Sequence, residues 1–351
     1  MKVAQCLRAA SAARGKLLRR YNGRLPACAI GAQRPAIALN SFQLHPAAGD
    51  RADLVRARQL VSTCGLAAML SQGDFPSARC RLIEAGCGGR QLFEASHIPG
   101  AGYLDTGDIE GGPLWNKVPD DVLLGVLLAH GIRHDTTVIL YGRNNLAAAR
   151  VAHLLLYAGV ADVRLLDGGF AAWRVAHHPC ESGPARPVSP ATDFGIPFPA
   201  HPAYLVDTLQ ARALLAQPAA ALVSIRSEAE FLGKVSGYSY IAARGDIPGA
   251  LWGRAGEDGD VNSMSAYHLA DGTMRPADEI VAMWAAGGIT PDRRIAFYCG
   301  TGWRASMAFF YAWLMGWPEI AVYDGGWLEW SGDPVEACDR WQAEGHAANF
   351  R

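Results

Sequence analysis

Arg294-Ile295-Ala296-Phe297-Tyr298 runs directly into Cys299-Gly300-Thr301-Gly302-Trp303-Arg304, an apolar strand followed by a glycine-bearing loop that begins with a cysteine. Residues Ala305 to Met315 read as a helix. Strand, tight loop and helix in that order make the loop's backbone N–H groups converge at a helix N-terminus, a ready site for negative charge. A thiolate is such a charge, so Cys299 is expected to have a depressed pKa and to be ionised at neutral pH with no metal or histidine beside it. The competing reading is a packed, inert cysteine. Its place at a strand-loop-helix junction argues against that.

Working outward, the same pattern occurs twice. Leu60-Val61-Ser62-Thr63, a helical stretch to Leu70 and a strand at Arg81 to Glu84 are echoed by Leu205-Val206-Asp207-Thr208, a helix to Leu215 and a strand at Ala221 to Ile225. His97-Ile98-Pro99-Gly100-Ala101 returns as Asp246-Ile247-Pro248-Gly249-Ala250. From there Gly131-Ile132, Tyr141, Gly159, Asp167-Gly168-Gly169 and Trp173 match Gly288-Ile289, Tyr298, Gly316, Asp324-Gly325-Gly326 and Trp330 at a constant offset of 157 (288 − 131 = 330 − 173). A gap-free offset over that length points to duplication of one unit. Within each repeat, short apolar runs alternate with helical stretches: Val138 to Tyr141, Leu146 to Tyr157 and Val163 to Leu166 in the first, Ile295 to Tyr298, Ala305 to Met315 and Ile320 to Tyr323 in the second. That predicts an α/β fold of βαβ units with mostly parallel sheets flanked by helices. Residues 176–202 hold seven of the 20 prolines and read as an extended linker. The expected division is a basic extension over 1–49, a first domain over 50–178, a linker over 179–203 and a second domain over 204–351. Gly142 stands where Cys299 stands in the other repeat, so chemistry is expected in the second domain alone.

Composition narrows the function. The 351 residues suffice for two domains, and 50% are hydrophobic, which speaks against disorder. Residues 1–49 carry eight Lys or Arg and no acid, leaving 24 basic against 33 acidic in the remainder, or −9. An acidic body is a poor nucleic-acid partner. The extension has the composition of a targeting segment, but a basic tail or an early start codon fits it as well; the chain is expected to be cytoplasmic, with targeting or export left open. Eight cysteines without a Cys-x-x-Cys pair favour reduced thiols. No apolar run approaches the roughly 18 residues needed to span a bilayer.

These motifs together resemble the rhodanese superfamily of sulfurtransferases, from about Leu60 to the end of the second repeat. Cys299 to Arg304 looks like the family's catalytic loop, Ile247-Pro248-Gly249-Ala250 like its turn, and Asp324-Gly325-Gly326 with Trp330 like its closing motif. The resemblance implies two tandem rhodanese-like domains, the first silent. It also implies transfer of a sulfane sulfur from thiosulfate or a related donor, through a persulfide on Cys299, to cyanide or a thiol. No cofactor or metal is required. Gly300, Thr301 and Gly302 would bind the substrate, and these small residues resemble the loops of 3-mercaptopyruvate-using members. Trp303 and Arg304 depart from the family's usual apolar residue and Thr. Trp303 is expected to line the pocket mouth. The family's substrate arginine before a Phe is replaced by Glu230, so Glu230 must point away or be paired, and Arg304, Lys234, Arg226 and Arg244 are the candidate cations.

Three rivals share features of the loop. A cysteine-dependent phosphatase also joins Cys, anion-binding loop and Arg, but with five intervening residues; here there are four. Gly300-x-Gly302-x-x-Ala305 with Asp324 formally satisfies a dinucleotide-binding pattern. It lies at the wrong end of its domain, and Asp167 recurs without any glycine-rich loop. A non-catalytic binding module would leave Cys299 idle.

Overall fold

A computed structural model describes residues 51–332 apart from 73, 74, 76, 78, 257–259 and 261. The basic extension expected over 1–49 lies outside the described residues. The first unit runs β1 (Leu60–Val61), α1 (Thr63–Leu70), β2 (Cys80–Gly86), α2 (Arg90–Ala95), β3 (Gly102–Asp105), β4 (Glu110–Gly111), β5 (Asn116–Lys117), α3 (Asp120–Ala129), β6 (Thr137–Tyr141), α4 (Asn145–Ala158), β7 (Asp162–Leu166) and α5 (Gly169–Val175). The second runs β8 (Leu205–Val206), α6 (Thr208–Leu215), β9 (Ala220–Ser224), α7 (Glu228–Phe231), β10 (Leu251–Trp252), α8 (Ala277–Ala286), β11 (Arg294–Tyr298), α9 (Trp303–Leu314), β12 (Ile320–Tyr323) and α10 (Gly326–Gly332).

Strand order makes the duplication explicit. One sheet is β1-β7-β6-β2-β3 and the other β8-β12-β11-β9-β10, the same order in corresponding strands, with every pairing parallel. A parallel sheet is covered by helices on both faces, so its central strands must be apolar throughout rather than alternating. Val138 to Tyr141 and Ile295 to Tyr298 are accordingly buried without a break. Local signals set the helix ends. Ser62 accepts a hydrogen bond from the Gly65 N–H, Asp207 and Gln210 form a capping box, and Gly159, at φ 107°, closes α4 in the left-handed region.

One hydrophobic cluster spans both units, and each unit holds a further cluster of its own. α4 and α9 pack against each other across the boundary, and residues 146–158 and 303–314 are all buried. The proline-rich stretch forms no α-helix, as its composition requires, and only its end enters a 3-10 turn at Pro202–Tyr204. It is not a free spacer, however. It runs back over the first unit, where the His97 N–H donates to the Glu181 carbonyl at 2.8 Å, the Ala191 N–H to Leu128 at 2.8 Å, and Phe194 is buried. Among the described residues no helix is long and apolar enough to cross a membrane.

Candidate active site

β11 delivers Cys299 from the middle of the second sheet, flanked by β9 and β12. Gly302 then adopts φ 97° and caps α9, so the helix begins at Trp303, two residues before the expected Ala305. Only glycine holds that backbone without strain, which lets the chain turn back over the cysteine within three residues. The closing motif seals the loop from below: the Trp327 N–H donates to the Cys299 carbonyl at 2.7 Å and the Leu328 N–H to the Gly300 carbonyl at 3.1 Å. A Cβ on Gly326 would lie 2.7 Å from both carbonyl oxygens, so this close approach excludes a side chain.

Cys299 is 1% exposed. Burial pushes its thiol pKa up, but the Arg304 charge and the backbone N–H groups of Ala305, Thr301 and Gly302 outweigh it, and the net shift is downward. The loop thus presents a sulfur poised to ionise and ringed by donors, as the strand-loop-helix order implies.

The surroundings correct the cation assignments. Arg304 is buried, and its two terminal nitrogens each donate to a Glu230 oxygen at 2.9 Å. Its fork is closed on a carboxylate rather than open to a substrate anion. Burial pushes the Glu230 pKa up, yet the Arg304 charge and its hydrogen bonds, with Arg226 behind them, hold it down at about 2. Glu230 is therefore paired, the second of the two arrangements expected for it. Arg226 is fully buried and serves structure: it donates to the Gly245 and Ser236 carbonyls and to Asp246, stitching residues 236–246 to β9. Lys234 and Arg244 lie exposed, Lys234 just ahead of that stretch and Arg244 within it. Trp303 does not line a mouth. It is 5% exposed, and its indole N–H donates at 2.8 Å to Glu110 of the first unit.

Sequence reasoning missed the cover. The Gly300 N–H donates to the Tyr238 hydroxyl at 2.8 Å, Arg304 donates to the same oxygen, and the Tyr240 hydroxyl lies 3.5 Å from Thr301 Oγ1. Burial raises both tyrosine pKa values, keeping the hydroxyls protonated at neutral pH. A signal was present in the unequal spacing of the repeats. Glu84 and Ser224 hold equivalent register against Tyr141 and Tyr298, but His97 follows Glu84 by 13 residues (97 − 84) while Asp246 follows Ser224 by 22 (246 − 224). The extra length carries both tyrosines. In the first unit the corresponding loop is filled by its own side chain, with the Gly142 N–H donating to Asn145 Oδ1 at 3.1 Å.

A model of the rhodanese-like domain matches twice, over residues 76–176 and 207–333. The chain belongs to the rhodanese-like family. Among curated relatives of this rhodanese-like chain, thiosulfate sulfurtransferase YnjE of Escherichia coli is 56% identical over 259 residues, 74% of this chain and 59% of that protein. The chain thus spans under two thirds of that relative's length. A probable 3-mercaptopyruvate sulfurtransferase of Pseudomonas aeruginosa is 33% identical over 79% of this chain and 96% of its own. Among solved structures, YnjE superposes with a TM-score of 0.77 at 52% identity, covering 80% of this chain and 68% of that one. An anaerobic ergothioneine biosynthesis enzyme from Chlorobium limicola, in complex with its natural substrate trimethyl histidine, gives 0.76 at 38% identity, covering 81% and 70%.

Proposed function

We propose that the chain is a sulfurtransferase of the thiosulfate-using kind, with Cys299 as nucleophile. The observation that carries this reading is the buried Cys299 thiol, its pKa lowered by Arg304 and by backbone N–H groups of the loop. The thiolate attacks the outer sulfur of thiosulfate. A sulfur–sulfur bond forms to Sγ, the bond to the sulfonate sulfur breaks, and its electron pair leaves with sulfite. The terminal sulfur of the persulfide carries the charge, and the loop N–H groups stabilise it as they do the thiolate. Cyanide or a thiolate then attacks that terminal sulfur, and the electron pair returns to Sγ. Incubation with thiosulfate or with 3-mercaptopyruvate, followed by intact mass, tests it: a gain of one sulfur that reductant removes is expected, and its absence with both donors refutes the proposal. A larger gain from 3-mercaptopyruvate would assign the chain to that donor, as Gly300-Thr301-Gly302 suggests.

A second reading concerns the acceptor. Arg304 and Arg226 already face carboxylates, and the Tyr238 and Tyr240 rings pack beside the loop at a 57° tilt, centroids 5.5 Å apart. Aromatic faces beside compensated charge favour a cationic acceptor over an anionic one, and the Chlorobium limicola enzyme binds trimethyl histidine. Transfer of labelled sulfur from the persulfide to trimethyl histidine, competed against cyanide, distinguishes the two.

A further inference from the structure

Arg150 lies on α4, in the unit without the cysteine, and is 0% exposed. Its Nη2 donates to Asp324 at 2.5 Å and its Nε to Glu110 at 3.3 Å. Its Nη1 has no hydrogen-bond partner, although buried donors are nearly always paired. That nitrogen points at the cysteine loop, 3.2 Å from where a Cβ on Gly302 would stand. Cys299 lies within electrostatic reach of the guanidinium. Glu110 completes the connection by accepting the Trp303 indole N–H on its other oxygen.

The duplicated interface supplies a control. On each side an aspartate of the closing motif accepts a backbone N–H from the other unit: Asp324 from Lys117 at 2.7 Å, Asp167 from Met274 at 2.8 Å. Glu110 pairs with Lys117 across its hairpin as His268 bridges Met274. The equivalent of Arg150, 157 residues on, is Met307. On the silent side, then, this pair of positions holds a methionine and a histidine whose pKa burial and Arg275 lower to about 4, neutral at physiological pH. Burial lifts Asp167 to about 6 even with Arg51 in reach, so the fold tolerates an incompletely compensated aspartate there. A buried ion pair rarely improves on well-packed apolar side chains for stability, and Met307 shows that the architecture accepts one. Of the two facing loops, only the one opposite Arg150 carries a cysteine.

We propose that Arg150 is a positioning residue supplied by the silent unit, which sets a buried positive charge against the Gly302–Trp303 turn and so favours the anionic form of Cys299. The inference rests on the reading of Cys299 as nucleophile. Cys299 is faced by Arg304 from its own helix, by Tyr238 and Tyr240 from the covering segment, and by Arg150 from α4. Behind the two arginines stand Glu230, Glu110 and Asp324.

The test is the pH dependence of Cys299 alkylation by iodoacetamide in the full chain, with the site assigned by peptide mass because the chain holds seven other cysteines. Arg150→Met, which installs the silent-side residue, is expected to raise the midpoint by roughly one pH unit. Arg150→Lys should raise it less. Glu110→Gln removes a negative charge beside Arg150 and should lower it. Opposite signs for the Met and Gln variants support the electrostatic role, whereas loosened packing would move both the same way. Unchanged midpoints, or a shared direction, overturn the proposal. Should Arg150→Met not fold, the sign for Glu110→Gln decides alone. No sulfur donor enters this measurement, so a wild type that alkylates normally but forms no persulfide would refute the sulfurtransferase reading and leave this one standing.

Discussion

Replacing Glu230 with glutamine isolates the ion pair that closes the Arg304 fork. Glu230 is 2% exposed, accepts from both terminal nitrogens of Arg304 at 2.9 Å and from the Ser227 N–H at 2.8 Å, and has Arg226 Nε at 3.5 Å. Its carboxyl is held at about 2 instead of 4.5. At about 1.4 kcal/mol per pH unit, that difference contributes roughly 3 kcal/mol to folding. Because the folded pKa is the lower one, the contribution is complete above about 4.5 and disappears as the pH falls through about 2. Glu230→Gln should therefore destabilise the fold by roughly 3 kcal/mol near neutral pH. The gap to wild type should shrink by roughly 1.4 kcal/mol by about pH 3.5, where the wild-type carboxyl begins to bind its proton in the unfolded chain first. Urea denaturation of both proteins at the two pH values measures it. A gap that is the same at both refutes the assignment, since a merely steric cost would not titrate.

Cys299→Ser should abolish sulfur transfer and leave the melting temperature within a few degrees of wild type; retained transfer would remove Cys299 from the chemistry. Gly302→Ala forces a side chain into φ 97° with its Cβ 3.2 Å from Arg150, and should cost roughly 1–2 kcal/mol as well as most of the turnover. A normal rate in that variant would show that the turn is not strained. Tyr238→Phe deprives the Gly300 N–H and Arg304 of an acceptor, and a loss of about 1–2 kcal/mol is expected in denaturant unfolding, with no change expected if the hydroxyl is idle.

The constant offset of 157 made the repeated sheet legible, because register in a buried parallel sheet is fixed by runs of apolar residues that survive in the sequence itself. Ile320 to Tyr323 was read with its observed bounds, and the strand entering Cys299 within one residue. The helix after the cysteine was read two residues late because Gly302 looks like loop and is in fact the cap. That displacement also explains why Trp303 and Arg304 were expected to be open to substrate: inside the first helical turn each is held by a carboxylate, Trp303 by Glu110 and Arg304 by Glu230. Glu230 looked like a repulsive substitution for a substrate arginine, and its partner could be found only in three dimensions, 74 residues away.

Glu110 and Arg150 belong to a domain that the sequence marks as silent, and nothing local distinguishes them from surface charge on a hairpin and a helix. Their role follows from how duplicated units meet. When two copies of a fold pack α4 against α9, each copy's helix lies against the other's loop, and any residue on the helix of one becomes a neighbour of the chemistry in the other. Divergence after duplication can then proceed on both sides at once: one unit keeps a cysteine at the end of its central strand while the other places charge on the facing helix. A cysteine loop lifted out of this pair would keep Gly302 and its own N–H groups but lose Arg150, the acceptor for Trp303, and the Lys117 N–H that holds Asp324. The silent unit is in this sense half of the site, and its lack of a nucleophile says nothing about its part in making one.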